Sequence, residues 1–373
     1  MDLHLLVDNL TNPALLFFFL GILAVQLKSD LEIPPNSSKF ISLYLLFSIG
    51  FKGGQELAHS PYDPEILWSL LFGIFLALFV PLYTYFILRR RFSVANSGAI
   101  AAAYGSVSAV TFVTAISFLE IEQITYGGHM VAVMALMEAP SIMVGLLLIM
   151  VFQGSKNKSE VPLKEVLSHA LFNGSVLLII GSLIIGYLAS DLQAEGIKPF
   201  TTDIFKGFLA VFLLDMGITS GKKLKDFINK GWFALVFAIV IPIINGTLVA
   251  VISGSFIDNA GNRLLFAILA ASASYIAVPA AMKIAVPKAS PSLYIPMALA
   301  ITFPFNITLG MPFYLCIIKY FFLRYVIIVY YIISPCIFYL VNNNTLELAV
   351  GIIFKFVVRS SYSSINGMRK RSE

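Results

Sequence analysis

Charged residues are scarce in this sequence, and their scarcity indicates the class of protein. Of 373 residues, 12% are charged and 58% are hydrophobic, whereas a soluble globular domain carries roughly 25% charged residues. The net charge is only +5, and the lysines and arginines fall between apolar runs. We therefore interpret them as topology signals and expect no nucleic-acid partner. The composition is typical of a polytopic membrane protein in a lipid bilayer.

Residues that form disulfides or bind metals are also few. The two cysteines, Cys316 and Cys336, both lie in apolar segments, so they give neither a disulfide framework nor a metal-ligand spacing. The four histidines are scattered along the chain. We expect no covalent cofactor and no metal centre built from these residues.

Catalytic motifs are missing as well. The sequence has no nucleophile elbow, no HExxH and no CxxC. Residues 217–222 resemble a phosphate-binding loop, but the spacing is one residue short and no Ser or Thr follows the lysine. We therefore expect no enzyme, and we expect secondary, ion-coupled transport in place of ATP-driven transport.

Long apolar runs are what the sequence does contain. A membrane-spanning helix needs about 20 apolar residues. The chain has ten apolar runs, most of them near that length and three of them shorter. They predict an all-α polytopic membrane protein with ten transmembrane helices. The runs cover residues 13–27, 40–50, 66–88, 95–119, 128–152, 171–189, 205–216, 232–253, 264–282 and 292–318.

The ten runs repeat as five plus five. Residues 45–54 match residues 213–221 with their glycines aligned, and Pro140 matches Pro304. Five spans is an odd number, so the second copy must be inverted in the membrane. We predict a first five-span repeat at 10–152, a cytoplasmic linker at 153–167 and a second, inverted five-span repeat at 168–320. Residues 321–373 have no counterpart and are interpreted as an atypical tail, either one extra span or non-native sequence.

The basic residues predict the orientation. Placing the N-terminus outside leaves few of them in the outer loops, namely Lys52, Lys198, Lys206 and Arg263. The loops on the other side, including the central one, then hold many more, as the positive-inside rule requires. We predict a multi-pass protein of the plasma (inner) membrane, with its N-terminus outside and its central loop in the cytoplasm.

Two polar interruptions, at residues 104–111 and 271–279, break runs four and nine. Both have a small-Ser-x-Ser core followed by Thr or Pro, which is poor material for a straight membrane helix. Freed backbone groups are tolerated at that depth only inside the protein or beside a cavity. Matched breaks in two halves indicate a transporter binding site. The alternative is that these small residues only let helices pack closely.

The broken helices would expose peptide dipoles that suit a small ion pair. Free N–H groups favour an anion and free carbonyls favour a cation, and neither break contains Arg or Lys. The predicted binding residues for a small anion are Gly105, Ser106, Val107, Ser108, Thr111, Ser272, Ala273, Ser274 and Tyr275. The predicted Na⁺ ligands are Ser108, Thr111, Glu138, Ser274 and Asn306, with Na⁺ as the coupling ion.

Three carboxylates in or beside the apolar runs are functional candidates, because burying a carboxylate is costly. Glu138, which precedes Pro140, is a candidate for a cation or proton path. Asp215 lies near Lys222 and Lys223, so a structural pairing competes with a functional role. For Glu56, near the outer surface, we expect a solvated role.

The chain resembles the sodium-dependent bicarbonate transporter family, of cyanobacterial type with related bacterial permeases, over roughly residues 10–320. The resemblance rests on residues 50–54, 105–108 with Thr111, 137–140, 271–274, and the downstream block 287–294. It implies Na⁺-coupled bicarbonate uptake at the plasma membrane, two inverted repeats with the substrate between the broken crossover helices, a homotrimer and a PII-like regulator. Carried over by position, residues 106–108 and 272–274 would line the site.

The sequence departs from the family at three places. Tyr275 replaces an acidic residue, the middle loop is short, and Glu138 is one methylene longer than the usual aspartate. Two alternatives to bicarbonate transport stay open: a Na⁺- or H⁺-coupled carrier of a small organic carboxylate, and a non-transporting membrane sensor or scaffold.

Overall fold

The computed structural model describes residues 3–60, 63–153, 174–227 and 231–320, and all regular structure in these ranges is helical. Residues Met1–Lys319 form one compact unit. Most of the predicted linker at 153–167, and the whole predicted tail at 321–373, lie outside the described residues.

The first part of the chain contains seven helices. Their starts follow ordinary capping chemistry: the side chains of Asn12, Asp63 and Ser93 accept hydrogen bonds from the first-turn amides of three of them. The helices are α1 Leu3–Leu10, α2 Pro13–Gln26, α3 Pro35–His59, α4 Pro64–Leu88, α5 Val94–Gly105, α6 Ala109–Ile121 and α7 His129–Gln153.

The second part continues with seven more helices over the described residues. The last one is irregular, since it widens into π-helical turns at Met297–Thr302 and Asn306–Gly310. They are α8 Gly174–Leu188, α9 Asp191–Lys198, α10 Phe205–Phe227, α11 Trp232–Ile252, α12 Ala260–Ala271, α13 Ala277–Ala285 and α14 Pro291–Tyr320.

Six stretches of the described chain are long and apolar enough to cross a membrane. Three shorter apolar helices, α2, α8 and α12, accompany them. These apolar helices support a multi-pass membrane protein. The six stretches are Pro64–Leu88, Val94–Ile121, His129–Phe152, Asp191–Leu224, Trp232–Ser255 and Pro291–Tyr320.

Glycines let two pairs of helices approach until their backbones touch. In the α2–α10 pair, a Cβ on Gly217 would lie 2.1 Å from the Phe18 carbonyl oxygen. In the α3–α8 pair, a Cβ on Gly54 would lie 2.1 Å from the Leu183 carbonyl oxygen. In lipid there is no hydrophobic driving force between helices. Small residues at such crossings let the backbones pack closely, and van der Waals contacts then hold the helices together.

Three local features differ from the sequence-based prediction. Helix α9 was not predicted; a capping box formed by Ser190 and Gln193 begins it. Helix α10 continues to Phe227, so the phosphate-loop-like residues 217–222 lie within a regular helix and form no Gly-rich loop. Glu120, predicted in a loop, belongs to α6 and accepts a hydrogen bond from Lys52 at 2.9 Å.

Glu56 is also more enclosed than its predicted solvated role implies. Its Oε2 atom is buried and has no hydrogen-bond partner among the described residues. In the nearby 123–128 loop, burial raises the pKa of the Tyr126 hydroxyl, and the carboxylates of Glu56 and Glu120 raise it further.

Gly217→Ala should destabilise the protein, because the added methyl would overlap the Phe18 carbonyl across the α2–α10 contact. Overpacking of this kind costs on the order of 1–3 kcal/mol. Gly207→Ala is the matched control on the same helix, where a Cβ meets nothing within 4 Å, and alanine favours helix. Thermal unfolding in detergent should show a lower Tm for Gly217→Ala only. Equal shifts would contradict the close contact.

Candidate functional site

The first break separates α5 from α6. Helix α5 ends at Gly105, and Ser106 and Ser108 adopt extended backbone angles before α6 begins at Ala109. The Ser108 hydroxyl caps α6 by accepting a hydrogen bond from the Thr111 amide at 3.2 Å. Gly105 is required by packing, since a Cβ there would lie 2.2 Å from Pro81 Cγ of α4.

The second break separates α12 from α13. Helix α12 ends at Ala271, Ser272 is extended, and α13 begins at Ala277. The Ser274 hydroxyl accepts a hydrogen bond from the Val278 amide at 3.3 Å. Both interruptions predicted from the Gly, Ser and Pro pattern are therefore present.

The two breaks are bonded directly to each other. The Ser108 amide donates to the Ser272 hydroxyl at 3.1 Å, and the Ser274 amide donates to the Ala103 carbonyl at 2.8 Å. The bonded residues are 164 and 171 positions apart in the sequence, and all four are buried in the interior of the unit.

The carbonyl ends of the broken helices are largely satisfied by protein side chains. Ser141 donates to the Ala102 carbonyl at 2.9 Å. In the second half, Asn245 of α11 donates to the Ala270 carbonyl at 3.1 Å, and Asn306 donates to the Ala271 carbonyl at 2.8 Å. These hydrogen bonds provide partners for carbonyl groups that a helix end would otherwise leave unpaired.

The amide ends are left more open. Ala109 and Val110 are the first two residues of α6, and their N–H groups find no acceptor within the described chain. The same holds for the Ala277 amide at the start of α13. Free N–H groups and the positive end of the helix dipole together make a site for an anion.

These amide ends border a small buried cavity. It leaves about 20 Å³ for the centre of a water molecule, which is room for roughly one water. Its lining has no Arg or Lys, so any positive potential comes from the backbone. The lining residues are Ser42, Leu46, Val107, Ser108, Ala109, Val110, Glu138, Ser175, Ser274, Tyr275, Ile276 and Ala277.

The four serines of the breaks divide into two kinds. Ser106 donates its proton to the Glu138 carbonyl at 3.3 Å, and Ser272 donates its proton to the Leu269 carbonyl at 2.9 Å. The hydroxyls of Ser108 and Ser274 act only as acceptors in the described structure. These two line the cavity, and each keeps a proton available for a ligand.

Glu138 is the one acidic residue in the cavity lining. Its side chain is only 8% exposed, and its carboxylate makes no hydrogen bond or ion pair with the described residues. A buried carboxylate without a partner is costly. The group is therefore suited to a cation or a proton supplied from solution.

Tyr275 forms one wall of the cavity. Its hydroxyl lies beside Ser108, yet it makes no hydrogen bond of acceptable geometry in the described chain. Its ring packs edge-on against Phe303, with ring centroids 5.9 Å apart.

The structure brings together some of the predicted site residues and not others. Val107, Ser108, Ser274, Tyr275 and Glu138 line the cavity; the remaining predicted residues do not border it. The latter are Gly105, Ser106, Thr111, Ser272, Ala273 and Asn306. Asn306 is fully buried, and its Oδ1 atom has no partner in the described part of the chain.

Sequence reasoning missed several lining residues. Ala109, Val110 and Ala277 contribute through the backbone, which no side-chain pattern reveals. Ser42 of α3 and Ser175 of α8 come from helices whose sequence shows no interruption. Only the position of α3 and α8 against the breaks brings them to the cavity.

A large vestibule of about 1,410 Å³ adjoins the cavity. The two share Ser42, Ser175, Tyr275 and Ile276, and the vestibule is also lined by Lys39, Lys222 and Lys223. Asp215 also lines the vestibule. This carboxylate accepts a hydrogen bond from Ser38. It also interacts electrostatically with Lys222, one of the two predicted lysine partners.

A second hollow of about 370 Å³ lies at the other end of α3 and contains Lys52, Glu56, Glu195 and Lys198. It does not reach either break. Within the described residues, no group of three or more His, Cys, Asp or Glu side chains could hold a metal ion. The cavity between the breaks is therefore the best candidate site.

No characterised protein matched the chain in a sequence search. A family model described as the Na⁺-dependent bicarbonate transporter superfamily matches residues 13–319, which include both breaks, Glu138 and every residue that lines the cavity. Because the match extends over most of the sequence, the chain belongs to the Na⁺-dependent bicarbonate transporter superfamily.

Proposed function

We propose that the protein is a secondary active transporter that couples Na⁺ to the uptake of a small anion, bicarbonate first, by alternating access. The observation that carries the proposal is the meeting of two helix amide ends and an unpartnered carboxylate at one buried cavity. Membership of a transporter superfamily favours transport over catalysis at this site.

The donor set fits a small, weakly charged anion. The amides of Ala109, Val110 and Ala277 and the hydroxyls of Ser108 and Ser274 can each donate one hydrogen bond. No full positive charge lines the cavity, so a polyanion would lose more hydration than the site returns. Bicarbonate has one charge and three oxygens, and it matches a handful of neutral donors.

Glu138 supplies the reason for coupling. An anion beside a bare buried carboxylate would be repelled, because charges interact strongly where water is excluded. Na⁺ between them removes that repulsion, so each ion should tighten the binding of the other. We propose that Glu138, Ser108 and Ser274 contact Na⁺. Asn306, with its unpartnered Oδ1, and Thr111 remain further proposed ligands.

We also propose the full architecture of ten spans in two inverted five-helix repeats. The contacts at corresponding glycines support it. Gly21 and Gly217 belong to the α2–α10 contact, and Gly186 and Gly50 belong to the α8–α3 contact. Gly21 corresponds to Gly186 and Gly50 to Gly217 at offsets of 165 and 167 positions, so the two helix pairs have the relation expected of exchanged repeats.

In the proposed orientation, the vestibule faces the cytoplasm of a cell whose plasma membrane holds the protein. The basic residues that line it, Lys39, Lys222 and Lys223, then follow the positive-inside rule. The conformation would be inward-facing, with Tyr275 and Ile276 between the vestibule and the site. A homotrimer and a PII-like regulator are proposed partners on the family resemblance; a trimer contact could cover part of the exposed apolar face of α4, which includes Trp68 and Phe75.

A small organic carboxylate carrier is the second candidate. Tyr275, which stands where the family pattern has an acidic residue, is the departure that keeps this candidate open. Competition between bicarbonate and organic carboxylates in one uptake assay separates the two. A sensor or scaffold would bind the ligand but give no flux.

The first prediction concerns coupling. In proteoliposomes, labelled bicarbonate should accumulate only with an inward Na⁺ gradient, because Na⁺ offsets the charge of Glu138. Replacing Na⁺ with K⁺ on both sides is the control. Bicarbonate accumulation in K⁺ alone would remove the Na⁺-coupling proposal.

The second prediction concerns the hydroxyl donors. Ser108→Ala and Ser274→Ala should each weaken apparent bicarbonate affinity by about 10- to 100-fold, since a hydrogen bond to a charged group contributes ~1.5–3 kcal/mol. Both serines also bond first-turn amides, so loss of a helix cap must be separated from loss of a ligand. Ser93→Ala is the control, because Ser93 caps α5 away from the cavity. The same affinity loss in Ser93→Ala would contradict direct contact.

The third prediction concerns the carboxylate. Glu138→Gln keeps the shape and removes the charge, so bicarbonate binding should lose its dependence on Na⁺ even if some affinity is retained. Glu195→Gln, on an exposed side chain outside the cavity, is the control. The measurement is the bicarbonate-induced Tm shift in Na⁺ and in K⁺. A full Na⁺ requirement in Glu138→Gln would place the coupling ion elsewhere.

A further inference from the structure

We infer that Tyr275 is the specificity-determining residue of the site: its hydroxyl donates a hydrogen bond to the bound anion, and its ring restricts the site to anions without a carbon chain. The inference rests on the proposed function and deepens it. It requires the cavity between the breaks to bind an anion, and it assigns a selecting role to one side chain.

The state of the Tyr275 hydroxyl is the first observation. The residue is only 9% exposed, and the hydroxyl finds no hydrogen-bond partner within the described residues. Buried hydroxyls nearly always have a partner, and phenylalanine would fill the same space without an orphaned polar group. Among the unpartnered hydroxyls of the described residues, that of Tyr275 is the one whose residue lines the cavity, so a bound anion can supply its missing partner.

The position of the ring is the second observation. Tyr275 lines both the 20 Å³ cavity and the 1,410 Å³ vestibule, so it belongs to the boundary between them, together with Ser42, Ser175 and Ile276. The contact with the Phe303 ring and the short segment from Ser272 to Ala277 restrain it on one side. An anion that enters the cavity from the vestibule crosses the boundary that Tyr275 helps to form.

The neighbouring donors give the third observation. The Tyr275 hydroxyl lies beside Ser108, whose own proton is uncommitted, and Ser274 is the preceding residue. An oxyanion at this point would receive hydrogen bonds from three hydroxyls and from the helix amides. The donors surround a volume suited to a few heavy atoms, because the cavity holds roughly one water before any side chain moves.

The ring then acts as a size limit. Bicarbonate, formate and nitrate present oxygens around one central atom and need only a small displacement of Tyr275. Acetate and pyruvate add a methyl or an acetyl group, which would meet the ring. Removing the ring should admit these larger carboxylates, whereas removing only the hydroxyl should weaken the small oxyanions and leave the size limit unchanged.

The test compares Tyr275→Phe and Tyr275→Ala with a matched control, Tyr294→Phe. Tyr294 is also fully buried with an unpartnered hydroxyl in the described chain, but it does not line the cavity. The probes are the sodium salts of bicarbonate, formate, nitrate, acetate and pyruvate. The measurement is the concentration of each that gives half-maximal thermal stabilisation of the full-length protein in detergent.

For Tyr275→Phe, the half-maximal concentration of bicarbonate should rise about tenfold, the usual effect of one hydrogen bond to a charged group. The Tm without ligand should be equal to or above that of the unchanged protein, since an orphaned hydroxyl is gone. Tyr294→Phe should leave bicarbonate binding unchanged. Tyr275→Ala should be stabilised by acetate and pyruvate, which should not stabilise the unchanged protein.

Two results would overturn the inference. One is unchanged bicarbonate binding in Tyr275→Phe; the other is a fall in its ligand-free Tm, which would indicate that the hydroxyl bonds to protein. The proposed function fails separately, if the unchanged protein responds to bicarbonate in neither Na⁺ nor K⁺. In that case the role of Tyr275 is decided with whichever other anion stabilises the protein, and it is rejected if none does.

Discussion

Backbone hydrogen bonding away from water is the constraint on which the rest of this structure depends. A helix that stops inside an apolar protein leaves N–H and C=O groups that each need a partner. Here the two helix breaks lie side by side, and each provides hydrogen-bond acceptors for the other. The Ser108 amide donates to the Ser272 hydroxyl, and the Ser274 amide donates to the Ala103 carbonyl. Neither break is self-sufficient. The paired arrangement explains why the interruptions occur together.

At the breaks, most of the backbone carbonyls have hydrogen-bond partners and several amides do not. This difference determines which ligands the site favours. Asn306 and Ser141 reach across from neighbouring helices to occupy carbonyls, while the amides of Ala109, Val110 and Ala277 stay open beside the cavity. If all the ends were satisfied, the region would be a structural core. If all were open, it would favour neither sign of charge. Open amides alone favour an anion.

The positions of the breaks could be predicted from sequence, but the roles of their side chains could not. Glycine, serine and proline at 105–108 and 272–279 mark where helical geometry fails, because their preferences are local. Whether a serine is free depends on tertiary neighbours. Ser106 and Ser108 look equivalent in the sequence, yet only Ser106 finds the Glu138 carbonyl within reach. The amide donors and the α3 and α8 contributions are invisible for the same reason.

Glu138 would link the proposed anion site to the proposed coupling without any distant relay. Glu138 lines the same cavity as the amides, so its negative charge would repel an anion bound there. Occupancy by the anion alone is disfavoured by repulsion, and occupancy by the cation alone leaves the amides without an acceptor. Both together satisfy the site. Coupling would then follow from the local arrangement of charges, and the moving helices would need only to change which side of the membrane the filled cavity faces.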